Sequence, residues 1–431
     1  MLKNKVKKSN EWFNKTQKII PLSSQTFSKS YLQYIKGTAP LFIKKAKGCH
    51  IYDIDGNKYI DLVSGLAAIS LGYQNTKVDA AIKKQLKNGI SFSLSSTLEY
   101  ELASLLKKHI PSAEMVRFGK NGSDVTTASI RLARAITKKD HIAVGGYHGW
   151  HDWYIGSTPK NIGIPESTKK LTHKFDFNNI ESLKKIFKKY PKKIAAVILE
   201  PTTYEKPKNN FLSKVKKITH NNKAILIFDE VASGFKTHIG GAQTLYKVTP
   251  DLTTIGKSMG NGMPISALVG KKKYMSFMEN IFFSSTAGGE TLSLAAAIAT
   301  IKEMEKNNFS NIIEKKAVYL KNNLDKIIKE NNLSHIIYII GTTPWQAVAI
   351  KPTKKYTALD IKSFIQQELI RNNILWVGSH ILNASHKKSD LDKVINAYKK
   401  IIPELASHIE KNNLKNNLEG GAITDVFKTR K

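Results

Sequence analysis

Cysteine is nearly missing from this chain: Cys49 stands alone in 431 residues. A lone thiol excludes an internal disulfide, and no Cys/His grouping with zinc spacing surrounds it, so neither a disulfide scaffold nor a metal site is expected. The scarcity fits a reducing compartment. Arginine is also scarce, supplying five of the 68 basic residues. Readers of DNA grooves rely on arginine for bidentate base contacts. Here the net charge of +34 is carried by lysines scattered along the whole chain, so no specific nucleic-acid partner is expected. The positive surface favours anionic small molecules instead. Long apolar runs are absent as well. The longest, Ile194–Leu199 and Leu292–Thr300, fall far below the roughly 20 residues of a membrane helix, and no membrane partner is expected. The first twenty residues are basic but lack a continuous apolar core and a small-residue cleavage site. No secretory signal is expected there, and the expected location is the cytoplasm. Finally, neither G-x-G-x-x-G nor G-x-x-x-x-G-K-[ST] follows a strand-like run, which removes the two commonest nucleotide cradles.

What is present is an ordinary globular composition, with 41% hydrophobic, 9% aromatic and 24% charged residues. The length suits two or three domains. Residues 10–20 have near-helical apolar spacing and read as a surface arm. The segment His50–Val63 alternates on either side of Asp55-Gly56-Asn57, a hairpin signal. Helical spacing follows over Thr97–Ile110. Strand-like runs Met115–Phe118, His141–Val144, Ile194–Leu199, Ala224–Phe228, Leu252–Ile255 and Ser266–Val269 then alternate with helical stretches such as Asp124–Thr137 and Ile180–Lys189. That alternation predicts an α/β fold with a mostly parallel sheet covered by helices on both faces. The chain reads as helical from Glu290 to Leu324, then as a smaller mixed region from Ile336 to Pro403, then as a weakly patterned polar tail from about Asn412.

Four segments at the ends of strand-like runs carry chemistry, where open parallel sheets bind their ligands. Phe118-Gly-Lys-Asn-Gly-Ser-Asp124 turns a strand into a helix: Gly122 permits close backbone approach, Ser123 offers a hydroxyl, and the helix start favours a phosphate, although an ordinary helix cap explains it equally. Gly146-Tyr-His-Gly-Trp-His-Asp152 presents an aromatic face beside a polar group, or rings that merely pack in a loop; the spacing of His148 and His151 suits no metal motif. Ala224-Ile-Leu-Ile-Phe-Asp-Glu-Val231 delivers two acids at a strand end, able to hold a ribose, a magnesium ion or a protonated ring nitrogen, or to serve structurally. Asp251-Leu-Thr-Thr-Ile-Gly-Lys-Ser-Met-Gly-Asn-Gly-Met-Pro264 places Lys257 in a glycine-rich, nearly uncharged stretch after a strand. Most lysines are solvated surface residues. A desolvated one has a depressed pKa and forms a Schiff base with an aldehyde. Together the four offer a phosphate cradle, an aromatic plate, a carboxylate and an imine-forming amine. That set matches pyridoxal 5′-phosphate, whose pyridine nitrogen needs an acid; a nucleotide would leave Lys257 unexplained.

At this level the chain resembles the class III aminotransferases of pyridoxal-phosphate fold type I, most closely the glutamate-1-semialdehyde 2,1-aminomutase branch. The resemblance runs from about Pro21 to about Tyr398. It is carried by RLARA at Arg131–Ala135, GYHGWHDW at Gly146–Trp153, ILEP at Ile198–Pro201, DEVASGF at Asp229–Phe235 and GKSMGNGMPISA at Gly256–Ala267, with Asp229 and Lys257 separated by 28 residues. It implies a large domain with a mostly parallel sheet, plus a smaller α+β domain built from both terminal segments. Expected boundaries are an arm and part of the small domain over 1–80, the cofactor-binding domain over 81–325, the rest of the small domain over 326–412 and a tail over 413–431. It further implies that Lys257 carries the Schiff base and moves the proton between Cα and C4′, that Asp229 pairs with the pyridine nitrogen, and that Tyr147 stacks on the ring with Val231 behind it. Gly122 and Ser123 would hold the phosphate. Glu200 and His148 would stand near the ring as supporting residues. Thr286, in Ser284-Ser-Thr-Ala-Gly-Gly-Glu290, resembles a threonine that reaches the neighbouring subunit's cofactor phosphate, which implies a homodimer with shared sites.

Three positions depart from the aminomutase branch. Gly378 stands where the branch has a glutamate, Lys29 where it holds the substrate carboxylate with an arginine, and Leu66 where it has a tryptophan. A lysine offers a point charge in place of a bidentate fork. The expectation is therefore an intermolecular aminotransferase, taking an amine from a small-molecule donor such as glutamate and passing it to a carbonyl acceptor, which the resemblance to family members with this altered end implies to be of the modified-sugar or surface-polysaccharide-precursor kind. The alternative is the aminomutase itself, making 5-aminolevulinate for tetrapyrrole synthesis.

Overall fold

The structure is a computed structural model that describes residues 2–341 and 345–424. The chain forms two compact units, one joining the segment up to Asn75 with the segment from Asn311 onward, the other being Thr76–Ser310. The units divide at 75/76 and 310/311, against expected boundaries at 80/81 and 325/326.

The first unit begins with helix Lys7–Thr16, which starts earlier and ends sooner than the apolar spacing suggests. It is not a loose arm. Asp55 accepts hydrogen bonds from Lys8 N (2.7 Å) and Ser9 N (2.9 Å), an acid neutralising a helix start. Strands β1 (Ile43–Lys47), β2 (His50–Asp53) and β3 (Lys58–Asp61) follow, and β2 and β3 form the hairpin expected around Gly56, whose φ of +93° suits glycine.

The second unit holds a seven-stranded sheet: β4 (Met115–Gly119), β5 (His141–Gly145), β6 (Thr172–Lys174), β7 (Ile194–Leu199), β8 (Ile225–Glu230), β9 (Leu252–Ile255) and β10 (Ser266–Gly270), in the order β4-β10-β9-β8-β7-β5-β6. The pairs from β9 to β6 are parallel, while β10 runs antiparallel to both β4 and β9. The six expected strands are all present. The short edge strand β6 escaped notice because three residues carry too little pattern. Strands β7 and β8 are buried at every position, as strands covered on both faces must be. One face packs Ile198 and Ile227 with Ala128 and Leu132, the other packs Val197 and Leu226 with Leu212 and Val215, each large aliphatic chain contributing about 1.5–3 kcal/mol. Helix Gly122–Thr137 starts at β4's carboxyl end with a capping box between Asn121 and Asp124.

Returning to the first unit, β11 (Ile337–Ile340), β12 (Trp345–Ile350) and β14 (Ser379–Ile381) make a three-stranded antiparallel sheet, and β13 (Ile374–Leu375) joins β3 in parallel. Helix Lys388–Glu410 passes straight through Pro403, where the sequence suggested an end. Ile401, Ile402 and Leu405 are buried around it, and their burial outweighs the single lost N–H bond. The stretch from Asn412 is likewise no free tail as far as Thr424: Leu414 and Ile423 are buried, and Gly421 bridges to Lys36. Two apolar residues among polar ones were too sparse a signal. Residues 425–431 of the expected tail lie outside the described residues.

Candidate active site

Asp229 and Glu230 close β8, and strand alternation sends them to opposite faces. Asp229 is 4% exposed. Its Oδ2 lies 2.8 Å from His148 Nδ1, and its Oδ1 accepts from Thr254 Oγ1 (3.0 Å) on the paired strand β9 and from Val231 N (3.1 Å). Three donors thus fix the carboxylate. Glu230 turns away and accepts from Ala242 N (2.5 Å) and Gln243 Nε2 (3.1 Å). Burial pushes its carboxyl up, partly offset by those donors. Of the two acids the sequence offered, Glu230 is structural.

The loop after β5 brings His148 to Asp229. Thr126 Oγ1 donates to His148 O (2.9 Å), and the imidazole sits against Trp153 and Tyr154 with its Nε2 buried and unpartnered. Tyr147 N donates to Glu200 Oε2 (3.0 Å) at the end of β7, and the Tyr147 ring meets Tyr154 edge-on at 5.6 Å. Glu200 therefore anchors the loop that presents the Tyr147 ring. His151, the other histidine of the segment, is hydrogen-bonded through Nδ1 to Thr127 Oγ1 (2.7 Å).

Gly122 opens the helix after β4. A Cβ there would stand 2.8 Å from Val231 Cγ1, so only glycine leaves this space open. Ser123 Oγ accepts from Trp150 N (3.2 Å), and a Cβ on Gly149 would strike the same oxygen at 2.3 Å. The first-turn N–H groups have no intrahelical partner and favour an anion. Ser266 Oγ donates to Asn121 O (2.8 Å), tying the start of β10 to the helix start. Lys257 follows β9, half-buried, with a left-handed φ of +42° that a non-glycine residue rarely adopts. Its neighbour Gly256 carries no Cβ, and one built there would lie 3.4 Å from Val231 Cγ1. Val231 thus links the acid end of β8, the helix start at Gly122 and the lysine turn.

The expected residues Gly122, Ser123, Tyr147, His148, Glu200, Asp229, Val231 and Lys257 all lie just past the carboxyl ends, or at the end, of strands β4, β5, β7, β8 and β9 of one sheet, with β10 standing between β4 and β9. Thr286 is exposed and lines an open groove with Phe92, Leu94, Tyr100 and Arg117. The three expected substrate residues belong to the first unit. Lys29 is exposed in the turn Phe27–Lys29; Leu66 is half-buried at φ +60°; Gly378, at φ +115°, has Lys362 Nζ 3.6 Å from the position of a Cβ. Burial pulls the Lys362 amine down to about 8. In the same unit Cys49, His50 and Asp390 come together, a donor set the sequence could not show because Asp390 is remote. Cys49 Sγ donates to Asp390 Oδ2 (3.3 Å), and burial pushes the thiol up to about 12. Sequence reasoning missed Thr254, one of two threonines in the four-residue strand Leu252–Ile255 beside the acid's strand; a threonine in that strand was a usable signal.

The family model described as aminotransferase class-III matches residues 33–344. The glutamate-1-semialdehyde 2,1-aminomutase of Wigglesworthia glossinidia brevipalpis is 32% identical over 442 residues, covering 95% of this chain and 100% of that protein. The 3-aminobutyryl-CoA aminotransferase of Cloacimonas acidaminovorans is also 32% identical, over 414 residues, covering 94% and 98%. Among solved structures, the PLP internal aldimine form of the FumI protein of Sphingopyxis sp. MTA144 superposes with a TM-score of 0.87 at 24% identity, covering 93% of this chain and 97% of that one. This chain belongs to the class-III aminotransferases. It is a pyridoxal-phosphate-dependent transaminase or aminomutase with the fold type I architecture expected from its sequence. The site agrees with that cofactor: a buried, triply held acid, a glycine cradle that a Cβ would fill, and a lysine at a strand end.

Proposed function

We propose that this protein is an intermolecular aminotransferase in which a small-molecule amino donor, glutamate or similar, loads the cofactor and a carbonyl acceptor unloads it. The observation that carries the reading is Asp229, held by His148, Thr254 and Val231 N where the resemblance expects the pyridine partner. When bound, the cofactor supplies an electron sink for the bond being broken. In this reading Asp229 orients its ring nitrogen, Tyr147 covers the ring face, Val231 backs it, Gly122 and Ser123 receive the phosphate, and the Lys257 amine moves a proton at the substrate Cα. His148 and Glu200 position Asp229 and the Tyr147 loop. The altered substrate end favours transfer between molecules. Gly378 brings no carboxylate, at a φ of +115° that side chains rarely adopt, and Lys29 would hold a carboxylate by charge alone. As acceptor we propose a modified sugar or a surface-polysaccharide precursor.

A homodimer is part of the proposal. Phe92, Leu94, Tyr100 and Phe282 are exposed, and the first three share the groove of Thr286. Exposed apolar groups of this size mark interaction surfaces, and Thr286 would serve the partner's cofactor from this rim. Among the described residues no helix is long and apolar enough to cross a membrane; the cytoplasm is proposed from the single cysteine.

The purified protein should absorb at about 420 nm, and Lys257→Ala should abolish the band. Loss of the cofactor signature from the wild type would point to a basic binding protein instead. Screening donors against carbonyl acceptors should reveal ping-pong kinetics with release of a keto acid. The second reading, favoured by the relative of Wigglesworthia, is the aminomutase. Rapid conversion of glutamate 1-semialdehyde to 5-aminolevulinate without an external donor would overturn the first. Sedimentation of the wild type and of Phe282→Asp tests the dimer.

A further inference from the structure

Helix Ala358–Arg371 runs through the interior of its unit: from Asp360 to Ile370 every residue is buried except Lys362, which is half-buried. A lysine so placed lays its stem along apolar neighbours and carries its amine to an opening. Here it emerges at Gly378. From the position a Cβ would take on Gly378, Lys362 Cε is 3.4 Å away and Lys362 Nζ 3.6 Å. Apart from the glycine's chain neighbours, no other heavy atom of the described residues lies within 4 Å of that position. One turn further along the helix, Gln366 Nε2 donates to Trp376 O (2.9 Å) and to Gln33 O (3.1 Å), and its Oε1 accepts from Ile35 N (2.8 Å). The helix, the loop of Gly378 and the segment that follows Lys29 are thus tied together within one unit.

The acids of this helix are engaged elsewhere. Asp360 accepts from Thr357 N (2.9 Å) and lies 3.5 Å from Lys415 Nζ, while Glu368 pairs with Arg371 at 2.6 Å. His380, two residues beyond Gly378, is bonded to the Tyr398 hydroxyl (2.9 Å). Lys362 itself has no hydrogen-bond or ion-pair partner among the described residues. Burial alone lowers its amine to about 8, which leaves it a charged ammonium near neutral pH. A partly desolvated cation without a counter-ion attracts an anion more strongly than a fully hydrated one does.

Resting on the aminotransferase reading, which expects position 378 at the substrate end, we propose that Lys362 is a specificity-determining residue that binds a second anionic group of the substrate, a carboxylate or a phosphate, remote from the carbon that exchanges its amine. Where the resemblance expects a glutamate, this chain has a bare glycine with an ammonium against it. The charge that the small unit offers a substrate is thereby reversed in sign. A substrate with a distal anion is favoured, and one with a distal cation is excluded.

The test uses the full-length holoenzyme in its two half-reactions. Loss of the absorbance at about 420 nm follows the donor step, and its return follows the acceptor step. Glutamate is compared with 2-aminobutyrate as donor, and glyceraldehyde 3-phosphate with glyceraldehyde as acceptor. Each pair differs by one anionic group, so the pair affected identifies where that group comes from. In Lys362→Met and Lys362→Gln the preference in kcat/KM for the anionic member of one pair should fall about tenfold, mainly through KM, as expected when one charged contact is lost. Lys362→Arg keeps the charge and should hold the preference within about threefold. The neutral members should react with every variant as they do with the wild type, which shows that the helix is intact. Three results overturn the proposal and leave the aminotransferase reading standing: a wild type without preference for the anionic member of either pair, a preference that survives both uncharged substitutions, or an equal loss for anionic and neutral members. A wild type that forms no adduct at Lys257, read by borohydride reduction and peptide mass, overturns both.

Discussion

The imidazole of His148 and the carboxylate of Asp229 meet at 2.8 Å with both side chains sealed from solvent. They come from different strand ends, 81 residues apart, and Thr254 holds the other carboxylate oxygen. The acid proposed to meet the cofactor ring therefore has no freedom to rotate.

Its removal should be felt in catalysis more than in folding. Asp229→Ala is expected to lower kcat by about 10²–10³, the size of effect seen when one aligned electrostatic partner is lost. His148→Phe, which keeps a ring in place and removes only the hydrogen bond, should cost roughly tenfold. Steady-state kinetics on one donor and one acceptor, with the cofactor spectrum recorded for each variant, checks both values.

Gly122 leaves open the space beside Val231, and Gly122→Ala fills it. The new Cβ would stand 2.8 Å from Val231 Cγ1, an overpacking worth about 1–3 kcal/mol. Cofactor affinity should weaken by about tenfold or more. Val231→Ala in the same chain should restore part of it, and a double-mutant cycle on the cofactor Kd measures the coupling.

Thr254 is fully buried, so Thr254→Val changes shape little and removes one donor to Asp229. The variant should lose about 1–3 kcal/mol of stability, read as a lower urea midpoint. An unchanged midpoint would mean that the carboxylate finds another partner.

Stability should also fall in mild acid. His380 and His386 are completely buried, and burial lowers them to about 3 and about 4. Their folded values lie below the unfolded one, so between pH 6.5 and about 4 the unfolded chain binds protons that the folded chain refuses. Each histidine then costs about 1.4 kcal/mol per pH unit as the pH drops. The urea midpoint should therefore decrease from pH 7 to pH 5. Replacing both histidines by glutamine should flatten that slope, and an unchanged slope would assign the acid sensitivity to other groups.

Much of the fold was legible because β7 and β8 are continuous apolar runs and the helical spacing over Asp124–Thr137 falls within helix Gly122–Thr137. The segments bearing Gly122, Tyr147, Asp229 and Lys257 were legible for a related reason. Each interrupts a patterned strand with residues whose chemistry differs from its surroundings. Pro403 misled because its cost is local whereas the burial of Ile401, Ile402 and Leu405 is tertiary.

Sequence alone was enough for the class of protein and for the sheet, since the motifs and the apolar runs depend on residue type and on spacing along the chain. It could not say that Glu230 turns to Ala242 while Asp229 turns to His148, or that Thr254 completes the carboxylate's partners. Those outcomes depend on which strands lie side by side and which face each residue occupies. Only the closing of the sheet, driven by burial of its two apolar faces, decides them.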